Sequence, residues 1–115
     1  HYSEAHNSPE NKAFVEAFTK AHPKERPNFM VVAGYDGMRL MDEVLKKTGG
    51  SADGDKFIAA AKGMKWMSPR GPIGIDPETR DIVQTVYIRK VEKVAGKLQN
   101  VEFDQIADVK DPGKQ

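Results

Sequence analysis

Few side chains in this 115-residue sequence could do chemistry, and their spacing argues against it. The three histidines are His1, His6 and His22. His1 and His6 do not have the i,i+4 helical spacing that sets two imidazoles on one zinc ion, and a chain without cysteine has no thiolate to complete such a site. They read as surface histidines, and no metal is expected. The missing cysteines also exclude a disulfide framework and a thiol nucleophile, while leaving the compartment open. Gly71-Pro72-Ile73-Gly74 has the glycines of a phosphate loop, but Pro72 removes an N–H donor and no Gly-Lys-Ser/Thr follows. Asp76, Glu78 and Asp81 lack the spacing and central glycine of a calcium loop. They read instead as a β-turn at Asp76-Pro77-Glu78-Thr79 with solvated charges. No serine stands in a nucleophile elbow, and no carboxylate pair is placed for glycosidic chemistry. The expectation is a protein that is not an enzyme, with no catalytic residue and no cofactor. Phe29, Met30, Tyr35 and Trp66 are the residues to inspect as pocket lining; core packing is the competing use of aromatics and methionine at helical spacing.

The elements that must position these residues come in two styles. Ser8-Pro9 is a helix start, and Phe14, Val15, Phe18 and Ala21 follow at helical spacing, predicting a helix over about 9–21. A longer helix over about 28–48 carries an apolar arc (Val31, Val32, Tyr35, Met38, Leu40, Met41, Val44, Leu45) wide enough to be covered on more than one side. Gly34 and Gly37 each cost about 1 kcal/mol in a helix interior, so a close packing partner is expected there. Gly49-Gly50 ends this helix, and a short third one is expected over 54–62. Ser68 to Asp81 contains three of the seven prolines and two of the ten glycines and reads as successive turns. Beyond it Ile82, Val83, Val86, Tyr87 and Ile88 put apolar groups on both faces of a strand. Ala95-Gly96-Lys97 signals a hairpin whose return strand carries Leu98, Val101, Phe103 and Ile106, and 111–115 reads as a frayed tail. A lone hairpin is marginal in water, and its apolar base is expected to need a sheet that this chain does not supply.

Composition bounds the class. Charged residues make up 30% of the chain with a net charge of +1, so no large basic field points to nucleic acid. No apolar run approaches the roughly 20 residues of a membrane helix, and no membrane insertion is expected. The chain starts without methionine, at His1-Tyr2-Ser3-Glu4, which reads as the cut edge of a processed or longer protein.

Motifs in order along the chain carry a family resemblance. Asn11-Lys12-Ala13-Phe14-Val15-Glu16-Ala17-Phe18, Gly34-Tyr35-Asp36-Gly37-Met38, Lys47-Thr48-Gly49-Gly50 with Asp53-Gly54-Asp55, and above all Ser68 through Lys90 form the set. As a set they resemble the branched-chain amino acid (Leu/Ile/Val-binding) type of periplasmic substrate-binding protein that serves ABC transporters. The resemblance implies an α/β, type I periplasmic-binding-protein-like fold of which this chain is the C-terminal third. It places residues 1–83 in the first lobe and 84–115 in a crossing plus a hairpin of the second lobe. Gln84, Thr85, Val86 and Tyr87 become a hinge, and Phe29, Met30 and, more weakly, Tyr35 become ligand contacts. The implied function is capture of a small solute (an amino acid, amide or aromatic acid) between two lobes in the periplasm for an ABC permease. The alternatives are a ligand-sensing receptor or regulator of the same fold, or a self-associating interaction module. Uncovered edges in the isolated piece are expected to drive self-association or strand swapping.

Overall fold

In the computed structural model, which describes residues 1–114, three helices precede four strands. The helices are α1 (Pro9–Ala21), α2 (Phe29–Lys47) and α3 (Gly54–Ala61); the strands are β1 (Lys65–Ser68), β2 (Gly71–Ile75), β3 (Ile82–Val94) and β4 (Lys97–Val109). Each helix starts where a side-chain oxygen can take up its orphan N–H groups. Ser8 Oγ accepts from Asn11 N–H at 3.1 Å, with Pro9 in the first helical position. Asn28 Oδ1 accepts from Met30 and Val31 N–H at 3.0 and 3.2 Å, and an Asp53 carboxylate oxygen accepts from Lys56 N–H at 2.9 Å.

The core is small: Phe14, Val32, Val44, Met64 and Ile73 are its buried apolar residues. Helix α2 contributes Val32 and Val44 from an inner face on which Asp36 is also buried. Its outer face, with Met30, Gly34, Gly37, Met38, Met41 and Leu45 on neighbouring helical positions, is exposed. The close partner expected at Gly34 and Gly37 is not found among the described residues, since a methyl group at either position would meet nothing within 4 Å. With Val32, Asp36 and Val44 buried and Met30, Met38, Met41 and Leu45 exposed, the wide apolar arc of α2 is only partly covered. The solvent-accessible area of 7794 Å² compares with about 6,300 Å² for a compact protein of this mass. The radius of gyration of 15.8 Å likewise exceeds the about 13 Å of a compact chain this long.

The strands form one antiparallel sheet in the order β1-β2-β3-β4. This corrects the expectation that the hairpin base lacks a sheet within the chain. Only Pro69 and Arg70 turn the chain; Gly71–Ile75 is a strand that pairs with both β1 and β3. Pro72 is tolerated because β3 pairing begins one residue later, at Ile73, so its missing N–H takes nothing from that ladder. The following turn does form at Asp76–Thr79, but Asp76 is buried rather than solvated. Its Oδ1 accepts from Glu78 and Thr79 N–H at 2.8 and 3.0 Å, and its Oδ2 pairs with Lys110 Nζ at 2.8 Å.

Strand β3 outruns its first partner. Residues 82–84 pair with β2, and beyond them β3 and β4 continue as a two-stranded arm. Two register shifts, between Gln84 and Val86 and between Ile88 and Arg89, each add one residue to β4. Asp108, at φ 53°, sits in the first of these bulges, opposite Thr85. At the arm's tip Ala95 and Gly96 have φ of 48° and 81°, the positive pair that a two-residue hairpin turn requires. Pro112–Lys114, expected to fray, forms a 3-10 turn tied to the body by Lys114 Nζ and Asp81 Oδ1 at 3.0 Å. Gln115, the last residue of the expected tail, lies outside the described residues.

Candidate functional site

The first six residues run between α1 and the arm, and buried Asn11 holds them there. Its Nδ2 donates to the carbonyls of Glu4 and His6 at 3.0 and 2.9 Å, and its Oδ1 accepts from the Tyr2 hydroxyl at 2.9 Å. Burial pushes the Tyr2 hydroxyl pKa upward, with the Glu4 charge adding to it, so the phenol stays a donor. Ser3 Oγ donates to the Asn100 carbonyl of β4 at 2.6 Å. Arg26, just before α2, pairs with Glu4 and donates to the Leu98 carbonyl at 3.0 Å.

These contacts enclose a cavity of about 470 Å³ between the start of α2, the segment Tyr2–Glu4 and the arm residues Val91 and Leu98–Asn100. Its volume lies within the ordinary range for small-molecule sites, roughly 300–1,000 Å³. Of the three ligand-contact candidates, Phe29 lines this cavity. Its ring stands edge-on to His1, with centroids 6.1 Å apart. Met30 is two-thirds exposed on the outer face of α2, and the Tyr35 ring lies 5.0 Å from Phe14 of α1. The structure thus brings neither of them to Phe29's cavity. Trp66 lines a different, larger hollow of about 670 Å³ along β1 and β2, with Met67, Pro72 and Lys110.

The four hinge candidates lie where β3 leaves the three-stranded part of the sheet. Gln84 Oε1 accepts from Arg70 Nη1 at 2.9 Å. Thr85 faces the bulge in β4, and Val86 is exposed. The Tyr87 ring packs 4.9 Å from the His6 ring, with the Arg89 guanidinium 5.2 Å from its centroid. Desolvation, and after it the nearby Glu102 charge, raises the Tyr87 pKa.

Two polar clusters flank this crossing, and sequence reasoning missed both. In one, Asp36 of α2 takes Arg70 Nε at 3.0 Å and Ser68 Oγ at 2.8 Å, with Trp66 Nε1 at 3.5 Å. In the other, Glu102 takes Arg89 at 2.9 Å and His6 Nδ1 at 2.8 Å. The available signal was Asp36 itself, a carboxylate on the inner face of an otherwise apolar helix, where burial demands a partner. Among the described residues no group of three histidine, cysteine or acidic side chains is placed to hold a metal ion. Nor, among the described residues, is any helix long and apolar enough to cross a membrane. The arrangement offers a half-open cavity lined by the Tyr2 and Phe29 rings and by the Glu4–Arg26 ion pair, which suits binding.

Comparisons with known proteins identify the family. The sequence profile described as "Periplasmic binding protein" matches residues 1–97. The chain is 45% identical to the Leu/Ile/Val-binding protein homolog 6 of Brucella abortus, over 98% of its own length and 30% of that relative's. Among solved structures it is similar to a solute-binding protein of an ABC transporter from Rhodopseudomonas palustris BisB5, in complex with 3,4-dihydroxybenzoic acid. The TM-score is 0.96 at 66% identity, covering 99% of this chain and 31% of that one. A second R. palustris solute-binding protein, from HaA2 and in complex with p-hydroxybenzoic acid, superposes with a TM-score of 0.89 at 49% identity, over 98% of this chain and 31% of its own. The chain therefore spans about 30% of the length of the relatives it matches.

Proposed function

This chain belongs to the periplasmic binding protein family, and on that premise we propose that it is the C-terminal part of a solute-binding protein for a hydroxylated aromatic acid. Its relatives are solute-binding proteins rather than enzymes. Residues 1–83 belong to one lobe, and 84–115 cross to the other. Closure about Gln84–Tyr87 encloses the solute, and the loaded protein delivers it in the periplasm to an ABC permease. The observation that carries this reading is the cavity between Phe29 and the arm, which lies between the parts assigned to the two lobes. Phe29 is 54% exposed at the start of a capped helix, so an aromatic ring can pack on it without displacing core. At the same cavity Arg26 is already paired with Glu4 and the Ser3 hydroxyl already donates to the Asn100 carbonyl, so it is the ring surface of Phe29, and not a free donor for the carboxylate, that supports the aromatic reading. The aromatic acid is favoured over a branched-chain amino acid because the dihydroxybenzoate-bound relative is 66% identical, against 45% for the Leu/Ile/Val-binding homologue.

Calorimetry on the full-length protein with 3,4-dihydroxybenzoate, 4-hydroxybenzoate and leucine tests this. Binding of the aromatic acids, weakened roughly 10- to 100-fold by Phe29→Ala on the scale of a buried aromatic anchor, is the expected result. Absence of heat with all three solutes sinks the reading, and tight leucine binding with no aromatic response redirects it to amino acids.

A further inference from the structure

The buried pair Arg70–Asp36 does more than fill the interior. The two side chains are 8% and 5% exposed, and single removal of either strands a charge in a water-poor site. What sets this pair apart is how many separate segments of the chain meet on it: α2, β3 and the first residue. Arg70 Nε holds Asp36 of α2 at 3.0 Å, while its Nη1 donates to Gln84 of β3 at 2.9 Å and lies 3.2 Å from His1 Nε2. A guanidinium can only donate, so His1 accepts through that nitrogen. The same His1 ring packs edge-on against Phe29. On α2, Asp36 lies seven residues after Phe29, which returns it to the same helix face within about 20°. A tether at Asp36 therefore sets the rotation of the helix about its axis, and with it the direction of Phe29.

We propose that Arg70 is a positioning residue that couples the β3 crossing to the Phe29 end of α2, so that movement of the crossing and seating of the solute are one event. Two routes lead from Arg70 to Phe29: through Asp36 and the body of α2, and through His1. One route leads to the hinge, through Gln84. Ser68 keeps the node rigid, because its Oγ accepts from Arg70 N–H at 3.2 Å while donating to Asp36. The coupling rests on the solute-binding reading above, and the test separates the two.

The test uses the full-length protein and two measurements. The double variant Asp36→Leu/Arg70→Met replaces the ion pair by apolar side chains, an exchange that buried pairs often tolerate. It is expected to keep the wild-type melting temperature within a few degrees, to bind 3,4-dihydroxybenzoate at least about tenfold more weakly, and to lose the solute-induced drop in radius of gyration seen by X-ray scattering. A folded double variant with wild-type affinity and wild-type compaction overturns the coupling. Hydrogen exchange on the wild-type protein covers a variant that fails to fold. Solute is expected to protect the amides of 68–72 and 82–86 together with those of 28–32, and protection confined to 28–32 overturns the coupling. A wild-type protein that binds none of the solutes refutes the solute-binding reading itself, and the coupling falls with it.

Discussion

Gly71→Ala is the substitution whose cost the structure predicts most directly. Gly71 opens β2 at φ +103°, a conformation that side chains other than glycine rarely adopt. Holding alanine there costs about 1–3 kcal/mol of backbone strain. The new methyl would also lie 2.2 Å from the Tyr87 hydroxyl oxygen, and 3.1 and 3.2 Å from ring carbons Cζ and Cε2. Tyr87 can yield only by leaving the His6 ring and the Arg89 guanidinium that it packs against. Overpacking of this kind adds about 1–3 kcal/mol, for a total loss of about 2–6 kcal/mol on summing the strain and packing terms. Tyr87→Phe removes the oxygen at 2.2 Å but leaves the two ring carbons close, so it should recover part of the loss. The two substitutions are expected to show a favourable coupling of about 1–2 kcal/mol, inside the range measured for touching residues. Urea denaturation of the four members of the cycle in the full-length protein reads this as midpoint shifts at unchanged m-value. A Gly71→Ala loss below about 1 kcal/mol, or strictly additive effects across the cycle, would refute the close approach of Tyr87 to the β2 backbone.

Two further outcomes follow from the same coordinates. Hydrogen bonding to Lys110, then to the Thr79 and Glu78 amides, holds the Asp76 pKa down from 3.8 to about 2. A depressed carboxylate pKa stabilises the fold fully above its unfolded value, and that contribution is lost as pH falls through the folded value. The wild-type protein should therefore lose stability between about pH 4 and pH 2, and Asp76→Asn should flatten the profile in that window when denaturation midpoints are measured against pH. The 115-residue chain expressed alone leaves Met30, Met38 and Met41 on α2, and Val86, Ile88 and Ile106 on the arm, in water. It is expected to self-associate or exchange its arm between copies, and a monomeric mass from light scattering at high concentration would contradict that.

Much of the fold is legible from local chemistry. Ser8-Pro9 marks a helix start because Ser8 presents an acceptor one turn from unpaired N–H groups, and that bond forms; Asn28 and Asp53 cap the other two helices in the same way. Ala95-Gly96 marks the arm's tip because few residues tolerate two successive positive φ values. Within the candidate site, Phe29 was legible and does line a cavity, while the cavity's other walls come from residues about 25 positions before it and about 70 after it. The β1–β2 hairpin is not legible in the sequence, for a definite reason. Proline and glycine density in Ser68–Asp81 signals constrained backbone, which describes equally a run of turns or two strands flanking a tight one.

Helix positions, the hairpin tip and membership in a binding-protein family were determined by the sequence alone, because capping, turn conformation and motif order are local or linear properties. Which side of α2 is buried, the partner of Asp36 and the cavity between Phe29 and the arm were decided only by tertiary structure. Arg70 lies 34 residues from Asp36 and 14 from Gln84, and no periodicity links them. They meet because the Pro69-Arg70 turn projects a guanidinium between a helix and a strand, where an unpaired charge would be too costly to leave.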